Sequence, residues 1–370
     1  MKAIALVIAL TTSSAAAQST FVTIGDLPGG FHTSHTSGIS ADGRVLTGLS
    51  SSSSGLLAYR WTADTGITAL PTLPGTQGYQ GGAVSPNGTY ISGAHGVINL
   101  SAYYGFVWSE QTGMVSVGSL PGGRDVTRLG YITDDGVVVG MSDFDLTSTG
   151  VSLFRATKWT PQGGLEAIPL PDPTDLQHQS SALFVLDDGR VFGSSNSGRW
   201  LYSEDSGFEM IPVGSYMRRI SRSGDFMIGT MLDSTSPIPH RARYWTPDTG
   251  EVSLAPYGDD YASEALYMSD DGSIIIGRGT LGWQVWLDQG APILFEDLIA
   301  NYGIELGDWR IESINGISED GRTIFGNAIN LSSGEVLIEG FLIKIPAPMT
   351  IAPFVALGLV ATRGRRSGKR

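Results

Sequence analysis

Four turns of this chain set two acids side by side before a glycine: Asp134-Asp135-Gly136, Asp187-Asp188-Gly189, Asp270-Asp271-Gly272 and Glu319-Asp320-Gly321. Clustered carboxylates in a loop suggest calcium, a hard cation that takes oxygen donors. The spacing argues against it. A calcium loop alternates its acids, as in Asp-x-Asp-x-Asp-Gly, whereas these are adjacent, and Asp before Gly is ordinary hairpin chemistry. Histidine offers a second candidate, since His32 and His35 form the one close pair among His32, His35, His95, His178 and His240. Residues three apart on a strand point to opposite faces, and no third ligand is evident, so no metal site is assigned. No Gly-x-Ser-x-Gly elbow, phosphate-binding loop or dinucleotide fingerprint occurs. Acids for glycoside chemistry could be drawn from any of the 36 present, so their number decides nothing. No catalytic residue and no cofactor is expected.

The acid pairs belong to a larger pattern. Turns ending in glycine recur at Gly43, Gly88, Gly136, Gly189, Gly224, Gly272 and Gly321, separated by 45, 48, 53, 35, 48 and 49 residues. Each interrupts a strand-like run that resumes toward a second glycine, as from Ile39 through Gly43 to Gly48. A third run follows, such as Leu57-Ala58-Tyr59-Arg60-Trp61, then a Thr-Gly turn, then a fourth run, Ile67-Thr68-Ala69-Leu70. Alternation, β-branched residues and glycine turns mark four short strands per unit. A period of this size built from strands signals a β-propeller. Small residues in the first strands (Gly38, Gly82, Ala83, Gly130, Ala182, Ala265, Gly316) suit strands that converge on a central axis. The recurrent tryptophan of the third strand is read as core, packing one sheet on the next.

The seventh unit has its hairpin and a third strand, Glu339 to Lys344, but no fourth. The missing strand stands at the other end of the chain. Phe21-Val22-Thr23-Ile24 with the Gly-Asp-Leu-Pro-Gly-Gly that follows matches Met114-Val115-Ser116-Val117 with its Gly-Ser-Leu-Pro-Gly-Gly. The expected fold is therefore all-β: a seven-bladed β-propeller of four-stranded blades over residues 18–345, its ring closed by the N-terminal strand completing the last blade.

Both flanks look like processing segments. Lys2, the apolar run Ala3 to Leu10 and Ala15-Ala16-Ala17 have the layout of a signal peptide, residues 1–17, which predicts export. Cysteine is absent, which removes thiol catalysis and thiolate metal sites; a domain this large buries enough core to leave the cell without disulfides. The chain has 23 basic and 36 acidic residues. Without Lys2 and the five bases after Thr362, 17 bases face those 36 acids, a balance of about −19. Such a surface disfavours nucleic acid and suits solubility or cationic partners.

After Ile345 come Pro346-Ala347-Pro348, an apolar stretch from Met349 to Ala361, and Arg363, Arg365, Arg366, Lys369 and Arg370. The stretch is short for a stable span, which takes about 20 residues, so transient insertion is expected. Proline pair, short apolar segment and arginine cluster over residues 346–370 resemble the PEP-CTERM sorting signal of Gram-negative-type bacteria, with Pro-Ala-Pro where that family has Pro-Glu-Pro. The resemblance implies signal peptidase and an exosortase-like processing enzyme as partners, and a place at the cell surface or in the extracellular matrix. The Ala-aromatic-x-Trp strand and Leu-Pro-Gly-Gly connection resemble the bacterial extracellular HAF repeats. Leu57-Ala58-Tyr59 and Arg241-Ala242-Arg243 occupy the place of the His-Ala-Phe tripeptide that names them.

Function is sought on the connections between blades, because binding concentrates on loops held by a rigid scaffold. They bring His32, His35, Gln77, Tyr79, Arg124, Arg128, His178, Arg218, Arg219, Tyr261 and Arg310 toward one channel mouth. Polar and aromatic groups around a concave centre suit a carbohydrate. The leading expectation is a non-enzymatic, surface-associated binding or scaffold module, with extracellular polysaccharide as the candidate ligand. A polysaccharide lyase or glycoside hydrolase working at the same face, and a purely structural surface protein, are the alternatives.

Overall fold

In the computed structural model, residues 20–97, 102–147, 150–172, 179–214, 216–232, 240–260, 262–332 and 337–346 are described. The leader 1–17 and the tail beyond Pro346 lie outside them. Among the described residues the fold is strands throughout, with one short helix, Phe295–Asn301.

Five separate four-stranded sheets run in chain order, each an antiparallel meander. Their first strands are Thr76–Val84, Thr127–Ile132, Ser180–Val185, Tyr216–Ile220 and Ser263–Met268. The remaining strands form one eight-stranded sheet. It joins the unit beginning at Gly29–Ile39 to the unit beginning at Trp309–Ile317 through a single parallel pairing, Thr33 with Ile338. Separate blades were expected there. The first strand Gly29–Ile39 is 11 residues long, and its early part reaches the start of Leu337–Lys344. Farther along the same edge of that strand lies Thr20–Thr23, antiparallel, with Thr20 opposite Lys344 and Thr23 opposite Phe341.

Glycine makes the repeat possible at two places. The turn glycines have φ between 67° and 84°, a region closed to most side chains. The second glycine is needed for a different reason. Every first strand carries a bulge just before its turn. The bulge throws a backbone carbonyl against the second strand, where a Cβ would meet it: 1.9 Å from the Glu264 carbonyl at Gly277, 2.1 Å from that of Arg128 at Gly140. Only a residue without a side chain fits so close an approach.

The core is divided among the interfaces between consecutive sheets. Trp108 packs with Val45, Ala58 and Leu70 of the preceding unit, Trp159 with Val107 and Val117, and Trp200 with Val139, Ala156 and Ile168. Trp286 packs with Ile228, Ala242 and Leu254. Trp200 and Trp286 are fully buried, so each removes a large apolar area from water. The eight-stranded sheet has its own cluster, in which Trp61, Leu46 and Tyr59 meet Ile24, Phe325 and Leu342. The helix covers the sixth and seventh units through Phe295, Leu298 and Ile299.

Antiparallel order sorts the connections into two ends. The glycine turns between first and second strands, and the Thr-Gly turns between third and fourth, share one end. The hairpins between second and third strands, and the links between sheets, share the other. Thr20 pairs with Lys344, and the Ile345 amide donates to the Arg322 carbonyl at 2.9 Å. Both ends of the described chain therefore sit at the turn end.

Candidate functional site

At the turn end the glycine turns are stitched to one another. The Ala41 amide donates to the Pro86 carbonyl, Asp187 to Arg222, Asp270 to Glu319, and Asp320 to Ala41, at 2.9–3.1 Å. Asn87 donates its amide to Asp134 Oδ1 at 2.8 Å, and Arg222 to Asp270 Oδ1 at 2.7 Å. Among the described residues one interval lacks such a bond, that between the Asp134 and Asp187 turns. A cavity of about 340 Å³ opens there, lined by Tyr131, Asp134, Asp135, Lys158, Asp187 and Arg222 among others.

The two acids of each pair do different things. The second caps its own turn: Asp271 and Asp320, like Asp42 in the first turn, accept from Ser269, Ser318 and Ser40 at 2.6–2.7 Å, and from backbone amides beyond the glycine. The first meets a neighbouring turn. Arg222 donates through Nη2 to Asp187 at 2.6 Å and through Nη1 to Glu319 at 3.3 Å, spanning three turns. Burial pushes the Glu319 carboxyl up to about 7, with Arg222 opposing. Asp270 is raised by burial too, again against Arg222. Burial, then the charge on Glu319, raises the Tyr131 phenol. Against the pull of burial, Asp187 and Glu319 raise the Arg222 guanidinium, which stays charged. Among the described residues no group of three His, Asp or Glu side chains is placed to hold a metal ion.

The loop end holds the residues expected to bind. His32 is exposed beside Asp26, at 3.4 Å, and His35 is half-buried, its pKa lowered by desolvation. Gln77 is exposed. Arg124 is exposed and donates to the Gly150 carbonyl at 2.6 Å. Arg128 and Arg218 stack over Phe154 and Tyr216, at 5.4 and 5.3 Å from the ring centres; Arg219 stacks over Tyr267 at 5.6 Å but near the turn end, since its strand closes at Ile220. Arg310 stands 3.9 Å from Glu312. Tyr79 is a correction: it is 2% exposed, packed against His95 and Phe106, with its hydroxyl accepting from the Leu73 amide. The first strand begins at Thr76, so Tyr79 belongs to strand rather than rim, and alternation turns it inward. His178, Tyr261 and the sorting-tail residues Pro348, Arg363, Arg365 and Arg366 lie outside the described residues; Pro346 is the last one described.

The loop end also contains arginines that loop membership could not find. Arg155 stacks on Phe144 at 4.2 Å, and Arg199 reaches from the fourth unit to Tyr216 of the fifth at 4.4 Å. Both lie on third strands. Their signal was position, near the start of a strand that departs from this end.

No family model matches the chain, and no curated protein matches it. Solved structures do. A prolyl endopeptidase superposes with a TM-score of 0.54 at 13% identity, covering 90% of this chain and 50% of that one. The oligogalacturonate lyase of Vibrio parahaemolyticus gives 0.53 at 12% identity, covering 89% and 97%. The β-propeller domain of Myceliophteria thermophila Cps50 (Swd1) gives 0.50 at 11% identity, covering 87% and 99%. At such identities the likeness carries fold alone: the chain has a β-propeller scaffold.

Proposed function

We propose that this chain is an exported, surface-associated propeller of seven blades that binds or organises extracellular polysaccharide at its loop end without catalysing a reaction. The seven-bladed reading rests on the seven glycine hairpins and on Thr20–Thr23, which supplies a fourth strand to the last unit. Ring closure is supported by the apolar cluster between last and first units and by the Asp320 to Ala41 bond. Export rests on the leader and the tail, with signal peptidase and an exosortase-like enzyme as processing partners.

One observation carries the functional reading: both chain ends leave at the turn end. A molecule held to the cell through its tail then presents the loop end outward, where exposed polar and aromatic side chains sit on a rigid frame. A glycan array probed with the purified full-length chain tests it. Retention on at least one class of polysaccharide is expected; no binding across neutral and anionic glycans would sink the binding reading and leave a structural protein.

A further inference from the structure

The basic residues of this acidic protein differ in their partners. Arg44, Lys158, Arg190, Arg222, Arg243 and Arg310 form ion pairs among the described residues. Arg128, Arg155, Arg199 and Arg218 do not, although the chain has 36 acids to 23 bases. They belong to the third, fourth and fifth units, Arg128, Arg155 and Arg199 toward the loop end and Arg218 midway along its strand, and all four lie over aromatic rings. Arg128 and Arg218 are exposed, and Tyr216 is 53% exposed between Arg199 and Arg218.

An arginine without a carboxylate in so acidic a chain keeps its charge available. Stacking holds the guanidinium plane, and in the exposed Arg128 and Arg218 a plane so held suits a carboxylate taken through two parallel bonds. An exposed tyrosine face beside it suits the apolar face of a sugar ring. We infer that the loop end of the third to fifth units binds an acidic polysaccharide, a polymer of uronate type, through Arg128, Arg155 and Arg218, with the buried Arg199 supporting the Tyr216 face. This rests on the polysaccharide reading above and adds the charge class of the ligand.

The test uses the full-length chain with alginate, a polyuronate, beside neutral dextran and double-stranded DNA. The probe variants are Arg128→Ala with Arg218→Ala, both exposed. The control is Arg44→Ala, exposed at the opposite end. Alginate binding is expected to fall on the order of tenfold in the double variant, to hold in the control, and to weaken from about 50 to about 200 mM salt. Equal loss in R44A, or no loss in the double variant, overturns the inference. DNA bound as tightly as alginate overturns it as well, since the face would then read charge alone. Dextran bound as tightly as alginate overturns the acidic ligand but leaves the polysaccharide reading standing. Binding to neither glycan overturns both.

Discussion

Arg218 and Arg222 are four residues apart, one midway along a short strand and the other in the turn that follows it. Arg222 is enclosed by Asp187, Asp270 and Glu319, and its amide and guanidinium tie three turns together. Arg218 lies over Tyr216 and meets no carboxylate within ion-pair distance among the described residues. The charge of Arg222 is spent inside the protein, linking neighbouring turns; that of Arg218 is left for something else. The same residue type is thus structural at one position and a recognition candidate at the other, and its partners make the difference.

The comparison can be broken at several points. The scaffold between the ends should be indifferent to them. Gly277→Ala would set a Cβ 1.9 Å from the Glu264 carbonyl, and a loss of about 3 kcal/mol in urea unfolding is expected. A loss below about 1 kcal/mol would mean that the bulge yields, and that the inner strands are softer than their geometry implies.

Removing the centre of the turn end leaves Asp187, Asp270 and Glu319 facing one another. Arg222→Ala should cost about 2 kcal/mol, against about 0.5 or less for Arg218→Ala. Equal losses in the two variants would erase the contrast between locked and free arginines.

A smaller effect concerns pH. The folded Glu319 carboxyl keeps its proton up to about 7, whereas its ordinary value is 4.5. The folded state therefore binds this proton more tightly, so the stabilisation is complete below 4.5 and is lost as pH rises through 7. The loss should be about 1 kcal/mol once partial exposure is allowed for, and Glu319→Gln should flatten it. Thermal unfolding of both proteins between pH 5 and 8 reads the difference; parallel curves would show that another group sets the slope.

Much of the scaffold was legible along the chain, and the limits of that reading are specific. The turn glycines were legible because only glycine readily adopts the φ that these hairpins demand. The second glycine was visible as a recurrence, yet its cause, a carbonyl pushed across by a bulge, belongs to strand pairing. The acid pairs were read as hairpin chemistry throughout, which fits Asp135, Asp188, Asp271 and Asp320. It misses Asp134, Asp187, Asp270 and Glu319. A signal was available: the second position is Asp, Asn or Ser in all seven turns, whereas the first also takes Ala41, Pro86 and Arg222. A position that varies so widely is not set by turn geometry. Tyr79 was misplaced because a residue near a loop can already be inside a strand.

The sequence by itself determined the local chemistry: where strands break, which residues recur, and how many hairpins the chain contains. These follow from backbone conformations and alternation, which neighbouring residues control. Only the tertiary structure decided what each charge faces. Arg222 meets Glu319 across 97 residues, and Arg199 meets Tyr216 across two sheets. Such pairings depend on how sheets are arranged about the axis, which no local pattern encodes.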